Sequence, residues 1–122
     1  MADLTPEQQR LRARARELAG EAAAQAAETD RTRQYPWPMV RRMTEAGFMG
    51  MTIPRRWGGQ GASVLDAVLV IEGLAAACAV CGRIAVEANM GAIGAVMAHG
   101  SEAQQALAAE AVLAGDKPAI CI

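Results

Sequence analysis

A chain of 122 residues that is 52% hydrophobic and 20% charged is one domain's worth of sequence, with enough apolar surface for a core, which excludes intrinsic disorder. Its formal net charge of −1 excludes a general nucleic-acid binder, which carries a basic excess. Two Trp, one Tyr and one Phe leave the core to aliphatic side chains, and abundant alanine with few β-branched residues predicts helices.

Thr5-Pro6-Glu7-Gln8 starts the first helix, with Thr5 as N-cap, Pro6 at the first helical position and Gln8 closing a capping box. Leu11, Ala15, Leu18, Ala22 and Ala26 recur at helical spacing, so a long amphipathic helix is expected to about Thr29. Arg10, Arg12, Arg14 and Arg16 step by two and spread around it, which reads as a solvated surface. The charged first twenty residues do not form a signal peptide, and no uninterrupted apolar run near the roughly 20 residues of a bilayer span is apparent. Three cysteines, an odd number, fit a reducing, cytoplasmic setting.

Tyr35-Pro36-Trp37-Pro38 opens a shorter helix lined by Val40, Met43 and Ala46 and ended by Gly47. The stretch Phe48 to Gly61 then reads as a tight corner: a short apolar segment, Pro54, and a glycine-rich loop. That loop lacks the preceding strand of a dinucleotide fingerprint and the Gly-Lys-Ser/Thr of a phosphate loop. Ser63 caps a third helix over Val64 to Cys78, and a fourth is expected over Arg83 to Ala98, ended by Gly100. Both are apolar almost all round, which predicts two central helices and three peripheral ones. Ser101-Glu102-Ala103-Gln104 is another capping box and starts a fifth helix ending near Gly115. Lys117 to Ile122 reads as a strand; alone it has no partner for its backbone hydrogen bonds, so it predicts a β-domain lying outside this chain, or a partner polypeptide.

Among candidate chemical groups, Cys78-Ala79-Val80-Cys81 is half a zinc site or a redox pair by spacing, but no second ligand pair stands at motif spacing. Filling apolar space is the favoured reading. His99, the only histidine, falls in a last helical turn, where it complements the helix dipole. Arg83 is the most informative single residue. It stands in a nearly all-apolar helix, and Glu87 four residues on offers an intrahelical ion pair. The face it shares with Glu87, Met90 and Gly94 is otherwise small or apolar, and Gly91 and Gly94 allow close approach, so the alternative is that Arg83 receives an acid group of a ligand by bidentate hydrogen bonding.

Taken together, Leu4-Thr5-Pro6-Glu7-Gln8, Tyr35-Pro36-Trp37, the corner Gly47-Phe48-Met49-Gly50 with Ile53-Pro54 and Gly58-Gly59-Gln60-Gly61, Glu72, and Gly100-Ser101-Glu102-Ala103-Gln104-Gln105 resemble the N-terminal helical domain of the acyl-CoA dehydrogenase family. The resemblance covers essentially the whole chain. It implies an all-α bundle over 1–116, followed at 117–122 by the first strand of a middle β-domain. It further implies a longer cytoplasmic flavoenzyme, usually a homotetramer, that binds FAD and an acyl-CoA substrate with no nucleic acid and no membrane. The catalytic glutamate and most of the FAD site lie outside this chain. Only Ile120 and Ile122 match positions at which the family's first middle-domain strand touches the flavin, largely through backbone.

Within the family, Gly82-Arg83-Ile84, Val86, Asn89, Gly91 to Ala95 and Gly115 to Ile122 are most similar to the 3-sulfinopropionyl-CoA desulfinase branch. There an arginine matching Arg83 binds the sulfinate, and sulfite and propionyl-CoA are released without net oxidation. An ordinary FAD-dependent α,β-dehydrogenase, with Arg83 paired to Glu87 or to an acidic acyl tail, is the alternative. A non-catalytic helical module whose terminal strand completes a partner's sheet is the second alternative. The 122 residues alone are expected to be inactive.

Overall fold

The computed structural model describes residues 3–121. Helices α1 (Pro6–Thr32), α2 (Trp37–Glu45), α3 (Val64–Ala77), α4 (Ala79–Asn89), α5 (Ala92–His99) and α6 (Glu102–Leu113) form an all-α bundle, with one 3-10 turn at Arg55–Trp57. Both anticipated capping boxes form, Thr5 with Gln8 and Ser101 with Gln104, and Ser63, the expected cap of α3, makes a third with Asp66. Two of them are joined, because Gln8 Nε2 donates to Asp66 Oδ1 at 3.0 Å and so ties the start of α1 to the start of α3. α1 packs along α3, burying Ala15, Leu18 and Ala22.

Gly47 ends α2 at φ 76°, with the Gly47 and Phe48 amides donating to the carbonyls of Thr44 and Met43. A left-handed residue there closes a Schellman motif, which glycine adopts without a Cβ penalty. The corner that follows is apolar inside: Phe48, Met49, Met51 and Ile53 are all buried. It closes on itself through Gly61 N–H to the Ile53 carbonyl and Ala62 N–H to the Met51 carbonyl, both at 2.9 Å. Gly59 lies against the Ile53 carbonyl, where a Cβ would collide with the backbone.

The expected fourth helix differs in three ways. It begins earlier, at Ala79, with Cys78 as a one-residue joint (φ −148°, ψ 104°) after α3. It breaks at Met90–Gly91, because the Glu87 carboxylate accepts from Ala92 N–H at 2.9 Å and starts a new helix there. Its second half is not central: α5 buries only Ile93, whereas α4 buries most of its length. α3 is likewise less enclosed than expected, since Val64, Leu65 and Val68 are exposed along one face. The stretch Ala79–His99, 21 residues with a mean hydropathy of 1.2 over its most apolar window, matches a membrane span in length and composition, although Arg83, Glu87 and Asn89 interrupt it, so the expectation of no uninterrupted run stands. The broken core helix of a small bundle has the same composition, and here buried Glu87 and Asn89 are engaged within the chain.

No strand forms among the described residues of the terminal segment. An isolated strand has no neighbour with which to share a ladder, as its lone position in the sequence implies.

Candidate functional site

Arg83 sits on the second turn of α4, one residue after Gly82. Gly82 lies close against α3: a Cβ there would lie 2.5 Å from that of Ala75. Glycine at this point lets the two helices touch and sets the depth of α4 in the bundle. Nearly two turns on, Asn89 holds the far end. Its buried amide accepts from Met51 N–H at 2.7 Å and donates to the carbonyls of Phe48 and Ala85 at 2.9 Å each. Thr52 Oγ1 donates to the Asn89 carbonyl at 2.5 Å. The corner is thereby fastened to the helix that carries Arg83.

The Arg83 side chain is 68% exposed, while that of Glu87 is only 6% exposed, and Arg83 Nη2 pairs with Glu87 Oε1. The other carboxylate oxygen takes Ala92 N–H at the start of α5, where the helix dipole favours an anion. Gly91 leaves the room for this, since a Cβ at that position would meet Glu87 Oε2. The anticipated ion pair therefore forms, and it leaves much of the guanidinium free to face a cleft.

That cleft, about 450 Å³, is walled by Ala79, Val80, Arg83, Ile84 and Glu87 of α4, by Tyr35, and by Pro118, Ala119 and Ile120. The fold thus brings Arg83 and Ile120, 37 residues apart in sequence, to one site. Ile122 lies outside the described residues. The terminal segment is held there partly by Lys117, whose Nζ lies 4.7 Å from the centre of the Tyr35 ring. Tyr35 also stacks edge-on against Trp37 at 4.6 Å. Its hydroxyl is buried without a hydrogen-bond partner. Burial, and secondarily the charges of Asp116 and Cys81, push the phenol above its usual range.

Tyr35 is a wall residue that the sequence pattern marks only as a helix start. Asn89 appears in the sequence as one of three polar interruptions of an apolar run, with Arg83 and Glu87, and its burial inside that helix is the one signal of its role. Behind the cleft, Cys78 and Cys81 are both buried and free. Burial, helped by the hydrogen bond that the Cys81 thiol itself gives to Cys78, pushes that thiol up to about 12, so it is no nucleophile at neutral pH. No group of three or more His, Cys, Asp or Glu that could hold a metal occurs among the described residues. His99 is exposed at the last position of α5, and Glu72 is exposed on α3.

By its geometry, this is a helical domain with an otherwise apolar cleft that carries one guanidinium–carboxylate pair. Residues 5–116 match the family model described as acyl-CoA dehydrogenase, N-terminal domain. The chain belongs to the acyl-CoA dehydrogenase family. It is 60% identical over its whole length to a 3-sulfinopropanoyl-CoA desulfinase of Variovorax paradoxus and 59% identical to one of Paraburkholderia xenovorans. It is 33% identical, over 84% of its length, to a short-chain-specific acyl-CoA dehydrogenase of Clostridium acetobutylicum. The chain spans 31%, 32% and 27% of these three relatives. A solved structure from work on the electron transferring flavoprotein of Acidaminococcus fermentans and flavin-based electron bifurcation superposes with a TM-score of 0.83. It is 26% identical, over 94% of this chain and 30% of that one.

Proposed function

We propose that this chain is the N-terminal wall of an FAD-dependent enzyme acting on a short acyl-CoA thioester, and that the thioester is 3-sulfinopropanoyl-CoA, anchored through its sulfinate by Arg83. The observation that carries this reading is the half-free guanidinium of Arg83 facing an apolar cleft. Identities of 58–60% to desulfinases along the whole chain support it. A sulfinate is a compact oxyanion, and guanidinium offers it paired N–H donors in one plane. The reaction balances without net oxidation: the C–S bond breaks, the carbon takes a proton, and the sulfur group leaves as sulfite after taking up water.

Residues 1–116 form the helical domain in this reading, and 117–122 open the next one. A flavin fits this chain along one edge only. Pro118 to Cys121 make no backbone hydrogen bonds among the described residues, so the backbone at Ile120 remains available to one. In the family's dehydrogenases, bound FAD supplies a hydride acceptor. This chain's own contribution is to exclude water and to orient the acyl tail. Homotetrameric assembly and a cytoplasmic location belong to the same proposal. The Arg83–Glu87 pair also favours a second reading, an α,β-dehydrogenase with an uncharged acyl tail, in which the arginine is simply neutralised.

Turnover of 3-sulfinopropanoyl-CoA by full-length Arg83→Lys and Arg83→Gln enzymes separates the two. Charge-assisted hydrogen bonds contribute about 1.5–3 kcal/mol each, so kcat/KM is expected to fall by roughly 10- to 100-fold per bond lost. Unchanged turnover by a correctly folded variant sinks the anchor.

A further inference from the structure

We infer that Glu87 is the positioning residue of the anion site. It holds one edge of the Arg83 guanidinium so that the rest faces the cleft, and its own place is set by the break between α4 and α5. This rests on the reading of Arg83 as an anion anchor.

Three observations converge on it. The carboxylate is almost fully buried, and both of its oxygens are engaged: Oε1 by Arg83 Nη2 and Oε2 by Ala92 N–H. A buried carboxylate is costly unless paired and hydrogen-bonded, so its position is well determined. Gly91 is a hollow shaped around Oε2, and the Met90 and Gly91 amides both donate to the Val86 carbonyl, which fixes that hollow. The arginine, by contrast, is a long side chain that is 68% exposed, and no other partner holds it among the described residues. A flexible cation in such a setting loses rotamer entropy when it binds an anion. Held at one nitrogen by a fixed carboxylate, it presents its remaining donors already oriented.

Glu87 also faces the cleft with a negative charge of its own, so simple repulsion of an anionic ligand makes the opposite prediction and the two can be told apart. The experiment compares the full-length enzyme with its Glu87→Gln and Glu87→Asp variants, each also placed in an Arg83→Gln background. Dissociation constants are measured for 3-sulfinopropanoyl-CoA and for butanoyl-CoA, whose tail is uncharged. Positioning predicts that the preference for the anionic thioester falls about tenfold in Glu87→Gln, while butanoyl-CoA binding is unchanged. Glu87→Asp keeps the charge but shortens the reach, and it is expected to lose the preference as well. In the Arg83→Gln background neither change alters the ratio.

A preference that rises in Glu87→Gln establishes repulsion and overturns the inference. A preference that survives in both folded variants overturns it too. If Glu87→Gln does not fold, Glu87→Asp decides alone. A wild-type enzyme with no preference for the anionic thioester removes the anchor reading itself, and the positioning role with it.

Discussion

Replacing Asn89 by leucine removes the amide that fastens the corner to α4 while keeping most of the side-chain bulk. In the folded chain that amide accepts from Met51 N–H at 2.7 Å and donates to the Phe48 carbonyl at 2.9 Å, and both residues are buried. Leucine leaves the Met51 N–H without an acceptor, which costs about 1–3 kcal/mol for a buried donor. The Phe48 carbonyl loses its partner as well and adds about 1 kcal/mol. The Ala85 carbonyl lies within a helix, where the backbone N–H four residues on remains available, so it adds little. The expected loss is about 3 kcal/mol, a large share of the roughly 5–15 kcal/mol by which a domain is stable. Urea unfolding followed by far-UV circular dichroism reads it as a lower midpoint at constant slope. In a thermal melt it corresponds to a fall of roughly 10 °C. Thr52→Val removes a half-exposed bond to the same residue, and its cost of about 1 kcal/mol is expected to shrink once Asn89 is gone, because the two act on one joint. A loss below about 1 kcal/mol from Asn89→Leu, with a native spectrum, refutes the claim that this amide holds the corner.

Gly91→Ala drives a Cβ into the Glu87 carboxylate; it is expected to cost about 1–3 kcal/mol by overpacking and to lower thermal stability measurably. Asp66→Ala breaks both its capping box and the tie to Gln8, a loss of roughly 1 kcal/mol at pH 7. Hydrogen bonds, first from Gln8 and then from Ser63, hold the Asp66 carboxyl below its usual 3.8. Its contribution is therefore present above that value and lost as pH falls through the lower folded one, so the wild-type and Asp66→Ala melting curves should converge in acid. With the Cys81 thiol pushed from 9.0 to about 12, the folded chain keeps a proton that the unfolded chain releases, and stability should fall as pH rises across that window. At pH 8, iodoacetamide with mass-spectrometric readout should modify exposed Cys121 and spare Cys78 and Cys81; equal labelling of all three refutes the burial.

What the sequence discloses here is what depends on near neighbours. Capping boxes are four-residue patterns, and all three lie at the expected caps Thr5, Ser63 and Ser101. The Arg83–Glu87 pair is an i,i+4 relation and is equally local. Misreadings arise where a local signal is outvoted from a distance. The run Arg83 to Ala98 is periodic enough for one helix, yet a buried carboxylate at Glu87 starts a second one at Ala92, and only its burial makes that cap worth forming. Asn89 looks like a blemish in an apolar pattern because its partners are 37 to 41 residues away.

The same distinction governs the site. Arg83 is conspicuous by itself, since a charge in an apolar helix demands a reason. That Tyr35 and Ile120 share its cleft follows from packing alone, through Lys117 against the Tyr35 ring. Glu87 and Asn89 are two residues apart on α4 and hold different neighbours, the first α5 and Arg83, the second the corner. Damage to Asn89 should therefore reach Arg83 only by shifting the whole of α4. Damage to Glu87 should reach it directly, and its effect on the rest of the bundle should be confined to the start of α5. An Asn89→Leu enzyme is accordingly expected to lose affinity for anionic and uncharged thioesters alike, whereas a Glu87 variant loses it for the anionic one. If Asn89→Leu instead lowers only the anionic affinity, α4 does not move as a unit, and the corner is not what positions the site.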